Sequence, residues 1–252
     1  KFGWETRFVD ADDPANVRAA MDDKTRCVFV ESLANPGGVV TDIAAIADVA
    51  HDHGVPLIVD NTMATPMLCR PFEHGADIVT HSTTKFLNGH GNAVGGVIVD
   101  SGKFDWKAAG DKFPSLTQPN GSYHGAVLVD ALEPIGPIAF ITACRVLGLR
   151  DLGPAMAPQN AWLALTGMET LALRMERHCA NALAVAEWLE NHEQVAWVSY
   201  AGLETNAYKP LADRYLGGKG GAVFTFGLKG GYDAGVKLVS QVELFSHLAN
   251  IG

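Results

Sequence analysis

The 252 residues suffice, at roughly 150 per domain, for one large domain or a large and a small one. Hydrophobic residues make up 48% and charged residues 19%, which excludes intrinsic disorder, and no uncharged run reaches the ~18 apolar residues of a membrane span. The net charge of -9 comes from scattered residues, so the basic footprint of a nucleic-acid binder is missing.

Cys27, Cys69, Cys144 and Cys179 contain no C-x-x-C pair, which encodes neither a disulfide framework nor a zinc clip and fits a reducing cytoplasm. The chain opens Lys1-Phe2-Gly3-Trp4 without an initiator Met or a signal pattern, and it stops at Asn250-Ile251-Gly252 after an apolar run. These ends read as those of a piece of something longer.

Short β-branched runs alternate with helical patterns through the first hundred residues. Cys27–Val30, Pro56–Val59 and Asp77–Thr80 read as strands, and Thr41–His53 reads as a helix with Asp42 near its start and Gly54 as its stop. This alternation predicts βαβ units, an α/β fold and a mainly parallel sheet flanked by helices. About a dozen glycine-rich residues separate the third strand from Val94–Val99, too few for a comfortable crossover, so that run is expected to pair antiparallel.

Residues 101–134 read as a long irregular excursion, of the kind that is usually functional or disordered. From Asn160 to about His192 one long helix is expected, kinking at Gly167, with Leu165, Met168, Ala172, Met175, Cys179, Ala182, Ala186 and Leu189 on its packed stripe. Val195–Tyr200 and Ala222–Gly227 look like strands and Asp233–Val242 like a helix. The expected organisation is therefore part of a large domain over 1–158, a connecting helix over 159–192, and the start of a smaller α+β domain over 193–252.

Open parallel sheets place ligands at the carboxyl edge of their strands. There the first strand is followed by Glu31-Ser32-Leu33-Ala34-Asn35-Pro36, the second by Asp60-Asn61-Thr62, and the third by His81-Ser82-Thr83-Thr84-Lys85. Asp60 and Lys85 lie 25 residues apart, one strand-helix-strand step, so a carboxylate and an amine are expected at neighbouring strand ends. A lysine amine can form a Schiff base with an aldehyde cofactor. Pyridoxal phosphate also needs a carboxylate at its pyridine nitrogen and donors for its phosphate, and Asp60, Ser82 and Thr84 are residues of the right type.

Val59-Asp60-Asn61-Thr62, His81-Ser82-Thr83-Thr84-Lys85-Phe86 and Gly89-His90-Gly91 closely resemble the trans-sulfuration (Cys/Met metabolism) family of pyridoxal-phosphate enzymes. The stretches Glu31–Pro36, Gly167–Leu171 into Arg174–His178, and Leu244–Ala249 agree, and the similarity covers essentially the whole chain. Gly96–Phe104 and the excursion through Phe113–Leu116 and Ser122–Gly125 look like the O-acetylhomoserine sulfhydrylase branch.

The resemblance implies a fold-type I transferase with Lys85 as the Schiff-base lysine, Asp60 as the pyridinium partner, Ser82 and Thr84 as phosphate ligands, and Asn35 near the phenolic oxygen and the substrate carboxylate. It further implies γ-replacement on O-acetylhomoserine with sulfide or a thiol, giving homocysteine or methionine, in a cytoplasmic homo-oligomer built as a dimer of dimers. Methionine γ-lyase and cystathionine γ-synthase or lyase chemistry are the alternatives within the family. By the same resemblance, the phosphate-gripping glycine loop, the ring stacked on the pyridine and the neighbouring subunit's Tyr and Arg precede Lys1, and the carboxylate-clamping arginine follows Gly252. Asn88 stands where a glycine is more common.

Simpler readings compete. Asp60 suits a helix cap, Ser82 and Thr84 suit local backbone bonds, and Asn35-Pro36 is a common turn pair. His51 and His53, two apart on a helix, cannot face one metal together and are expected on a solvated surface. Gly89, Gly91 and Gly95 precede a strand, against the context of a dinucleotide fingerprint. Ser82-Thr83-Thr84-Lys85 also fits the S-x-x-K of penicillin-interacting hydrolases, but glycines follow too soon for the required helix and no S-D-N occurs. A catalytically empty scaffold is the non-enzyme alternative.

Overall fold

A computed structural model describes residues 3–248 and 251; Lys1, Phe2, Ala249, Asn250 and Gly252, named above with the terminal runs, lie outside the described residues. After helix α1 (Pro14–Ala20), strands β1 (Val28–Glu31), β2 (Leu57–Asp60), β3 (Ile78–Ser82) and β4 (Gly96–Asp100) form one sheet in that order. The first three are parallel, and β4 runs antiparallel to β3 with Ser82 opposite Gly96, as the short connection predicts.

Helix α2 (Ile43–Asp52) forms the β1-to-β2 crossover. The Asp42 carboxylate caps it by accepting the Ala45 N–H at 3.3 Å. Its face of Ile43, Ile46, Ala47, Val49 and Ala50 is buried against Val55, Leu57 and Val59 in the main core. Each Ile or Val removed from water in this way contributes about 1.5–3 kcal/mol. The opposite sheet face carries a second cluster in which Ile78 meets Trp106, Leu116, Leu128, Ala139 and Ala143.

Two expectations need correction. The excursion over 101–134 contains single-turn helices at Trp106–Ala109, Pro114–Thr117 and Leu128–Ala131, which the second cluster holds in place. The long helix is two helices, α3 (Pro158–Met168) and α4 (Leu171–Glu190), broken after Met168 and not within one kinked rod. Leu171, Met175, Cys179, Ala182, Ala186 and Leu189 form the buried stripe of α4, whereas Leu165, Met168 and Ala172 are exposed.

Strands β5 (Val195–Ser199) and β6 (Thr225–Leu228) pair antiparallel as a separate two-stranded sheet, with α5 (Lys209–Tyr215) between them and α6 (Gly231–Gln241) after. Ala212, Tyr215 and Leu216 nevertheless join the main core. His51 is exposed as expected but not idle, since its Nε2 pairs with the buried Asp77 carboxylate at 2.8 Å. Among the described residues no helix is long and apolar enough to cross a membrane.

Candidate active site

The register aligns Glu31 with Asp60 and Asp60 with Thr80. Because side chains alternate along a strand, Glu31, Asp60, Thr80 and Ser82 project from one sheet face at its carboxyl edge. Val59, Val79 and His81 project from the other face, into the core. Asp60, Ser82, Thr84 and Lys85 are all partly buried.

Each residue of Asp60-Asn61-Thr62 has a separate task. The Asp60 Oδ1 accepts the Thr62 N–H at 2.8 Å, a turn typical of aspartate. Asn61 is fully buried, donates from Nδ2 to Cys69 O at 2.8 Å and accepts the Ser32 hydroxyl at 2.7 Å. The Thr62 hydroxyl accepts the Ser82 N–H at 2.8 Å. The three strand-end loops are thereby laced together. Asp60 caps no helix, for the next one starts at Thr65 with Ala64 at its N-cap.

Lys85 sits in the π-helical turn Thr83–Leu87 that leaves β3, at the point where the backbone departs from helical angles (φ -91°, ψ -132°). Both ends of the turn are pinned. Thr84 Oγ1 donates to Gly95 O at 3.2 Å and accepts the Gly95 N–H at 3.1 Å, while Phe86 and Leu87 are buried in the main core. A hydroxyl has a single proton to donate, so in this arrangement the proton of Thr84 is directed to Gly95 and not to an anion. Asn88 has ordinary helical angles (φ -75°, ψ -52°), so no glycine-only conformation is needed there, and its Nδ2 donates to Asn92 Oδ1 at 2.8 Å.

Asn35 is exposed, in the loop after β1, one strand beyond Asp60 on the same edge. Its N–H donates to the Glu31 carboxylate at 3.1 Å, and its bond to Pro36 is cis. On the core side, the His81 ring is buried with Nδ1 lacking a hydrogen-bond partner. Burial holds its pKa below the ordinary 6.5, against the opposing pull of the Asp60 charge.

The sequence places Asp60, Ser82, Thr84, Lys85 and Asn35 at one sheet edge, and the structure brings them there. It adds Thr62, Asn61 and Arg174 as residues that hold them. Thr62 was visible as a hydroxyl two residues after a strand-end aspartate, but nothing local announced its partner. Arg174 Nη1, reaching from α4, donates to Phe86 O at 2.8 Å.

The amine, carboxylate and hydroxyls on this edge have matching relatives. The sequence pattern of the Cys/Met metabolism PLP-dependent enzyme family matches residues 1–252. An O-acetyl-L-homoserine sulfhydrylase of Leptospira meyeri is 50% identical over all of this chain and 58% of its own length, and a homocysteine synthase of Schizosaccharomyces pombe is likewise 50% identical, over 58% of its length. A crystal structure from Campylobacter jejuni, described as an O-acetylhomoserine (thiol)-lyase with N'-pyridoxyl-lysine-5'-monophosphate, superposes with a TM-score of 0.91 at 37% identity, over 99% of this chain and 61% of that one. The chain thus spans about three-fifths of the proteins it matches, and it belongs to the Cys/Met metabolism family of PLP-dependent enzymes.

Proposed function

We propose that the protein to which this chain contributes catalyses γ-replacement on O-acetylhomoserine with sulfide or a thiol, releasing acetate and forming homocysteine or methionine. The observation that carries this reading is the emergence of Asp60 and the Lys85 turn from adjacent parallel strands, on the edge where α/β sheets bind ligands. The sulfhydrylase and homocysteine synthase relatives, each 50% identical, support the choice of substrate.

The donor set fits pyridoxal phosphate. A partly buried lysine and a partly buried aspartate stand at the ends of adjacent parallel strands, and the carboxylate oxygen of Asp60 is already oriented by the Thr62 N–H. Bound there, the cofactor supplies an electron sink for negative charge that develops on substrate carbons.

Lys85 Nζ would hold the cofactor's aldehyde carbon and, once the substrate amine has displaced it, take protons from substrate Cα and then Cβ so that acetate can leave from Cγ. The Asp60 carboxylate would keep the pyridine nitrogen protonated. Ser82 would donate to the phosphate, and Thr84 would do so by turning its hydroxyl from Gly95. Asn35 would sit by the phenolic oxygen and the substrate carboxylate. On the same reading, residues 1–158 belong to the large domain, 159–192 connect it, and 193–252 begin the small one. The exposed apolar side chains of Val97, Ile98 and Val99 on β4 and of Trp162 on α3 support burial of these surfaces by the rest of the protein or by like subunits.

The test is an assay of the full-length protein with O-acetylhomoserine and sulfide. Acetate and homocysteine released in equal amounts support the reading. Release of ammonia and a 2-oxo acid without any need for sulfide would instead assign elimination.

A further inference from the structure

Arg174 lies in the first turn of α4, and its guanidinium reaches three separate segments. Besides Phe86 O, it donates from Nη2 to Gly167 O in α3 at 2.8 Å and from Nε to Thr170 Oγ1 at 3.1 Å. Guanidinium is flat and rigid, so donors spent in three directions fix their acceptors relative to one another. Phe86 follows Lys85 directly, so one of the fixed acceptors belongs to the lysine turn itself.

The backbone around the turn carries the same imprint. Gly89 has φ +69°, and a Cβ there would fall 2.1 Å from Arg174 Nη1. A Cβ on Gly167 would fall 2.0 Å from Asn88 O. Two glycines thus allow the α3–α4 junction and the end of the lysine turn to close on one another, with the guanidinium as the fastener. Arg174's partners here are two carbonyls and a hydroxyl, and partial burial pulls its pKa below the ordinary value, which is not the setting of a solvated surface arginine.

We propose that Arg174 is a positioning residue for Lys85, which sets the place of the lysine turn through the Phe86 carbonyl and couples it to the α3–α4 junction. This rests on the reading that Lys85 holds the cofactor. That reading is tested separately by finding which lysine of the unmutated holoenzyme keeps a pyridoxyl label after borohydride reduction; a label elsewhere overturns the role of Lys85 and leaves the Arg174 contacts standing.

The experiment compares Arg174→Ala and Arg174→Lys in the full-length holoenzyme. Arg174→Ala is expected to raise the pyridoxal phosphate dissociation constant about tenfold or more and to shift the pH midpoint of the bound cofactor's visible absorbance. It should lower kcat while leaving the KM for O-acetylhomoserine within about twofold. Arg174→Lys keeps the charge but not the three-way grip, so it should recover only part of each change. If Arg174→Ala does not fold, the lysine variant alone carries the test. Variants that lose thermal stability yet keep the wild-type dissociation constant and pH midpoint would overturn the proposal, since a purely structural role predicts that pattern.

Discussion

The Thr62 hydroxyl accepts the backbone N–H of Ser82 across 2.8 Å, tying the loop after β2 to the last residue of β3. The same residue's N–H orients Asp60, so one side chain and its backbone serve both halves of the site. Thr62→Val preserves the shape but removes the acceptor and leaves the Ser82 N–H without this partner. The expected cost is about 1–3 kcal/mol in chemical denaturation, accompanied by weaker cofactor binding, and Thr62→Ser should restore most of both.

Asp60 and Lys85 are expected to separate chemistry from folding. Lys85→Ala in the full-length protein should abolish homocysteine formation. Asp60→Asn should lower kcat by about 10²-fold or more, because it removes charge stabilisation and not a packed side chain. Steady-state kinetics beside a thermal melt checks both, and sulfide-dependent acetate release retained by Lys85→Ala would contradict the assigned role.

Two helical glycines should respond in opposite directions to the same change. Gly-to-Ala in a helix interior normally stabilises by roughly 0.5–1 kcal/mol. Gly235, in α6, has nothing within 4 Å of an added Cβ and should show that gain. At Gly167 the added carbon meets a backbone oxygen at 2.0 Å, which no rotamer change relieves, so overpacking of about 1–3 kcal/mol should prevail. Urea midpoints of the two variants test the contrast.

Asp100 sets a pH dependence. Its Oδ1 accepts the Gly102 N–H at 3.0 Å, but Oδ2 is buried without a hydrogen-bond partner. Burial first, and the Asp77 charge to a lesser degree, raise its pKa above the ordinary 3.8. The folded state therefore binds this proton more tightly than the unfolded chain does. The penalty is absent below the unfolded value, grows as pH rises through the raised folded value, and is complete at neutral pH. Asp100→Asn should melt higher than wild type at pH 7 and lose that advantage near pH 4; an advantage independent of pH would contradict the assignment.

The parallel strands and the Asp60–Lys85 edge were legible in the sequence because their signals are local: β-branched runs, a capped helix, and a one-step spacing between two charged residues. The break between α3 and α4 was not, since apolar periodicity continues across Met168 and Thr170. What closes that junction is contact with Asn88 and Phe86, the latter 88 residues from Arg174 in the chain. The single-turn helices after β4 were illegible for a similar reason. Trp106 stacks on Phe140 with ring centroids 5.2 Å apart, and such turns are stabilised by tertiary packing more than by propensity. The engagement of Thr84 with Gly95 is likewise a pairing that spacing does not encode.

The most direct test of the central claim is to reduce the yellow full-length enzyme with borohydride, digest it and locate the modified peptide by mass spectrometry. A pyridoxyl-phosphate adduct on Lys85, missing from Lys85→Ala, is the expected result. An adduct on any other lysine, or a colourless protein that takes up no pyridoxal phosphate, would contradict it.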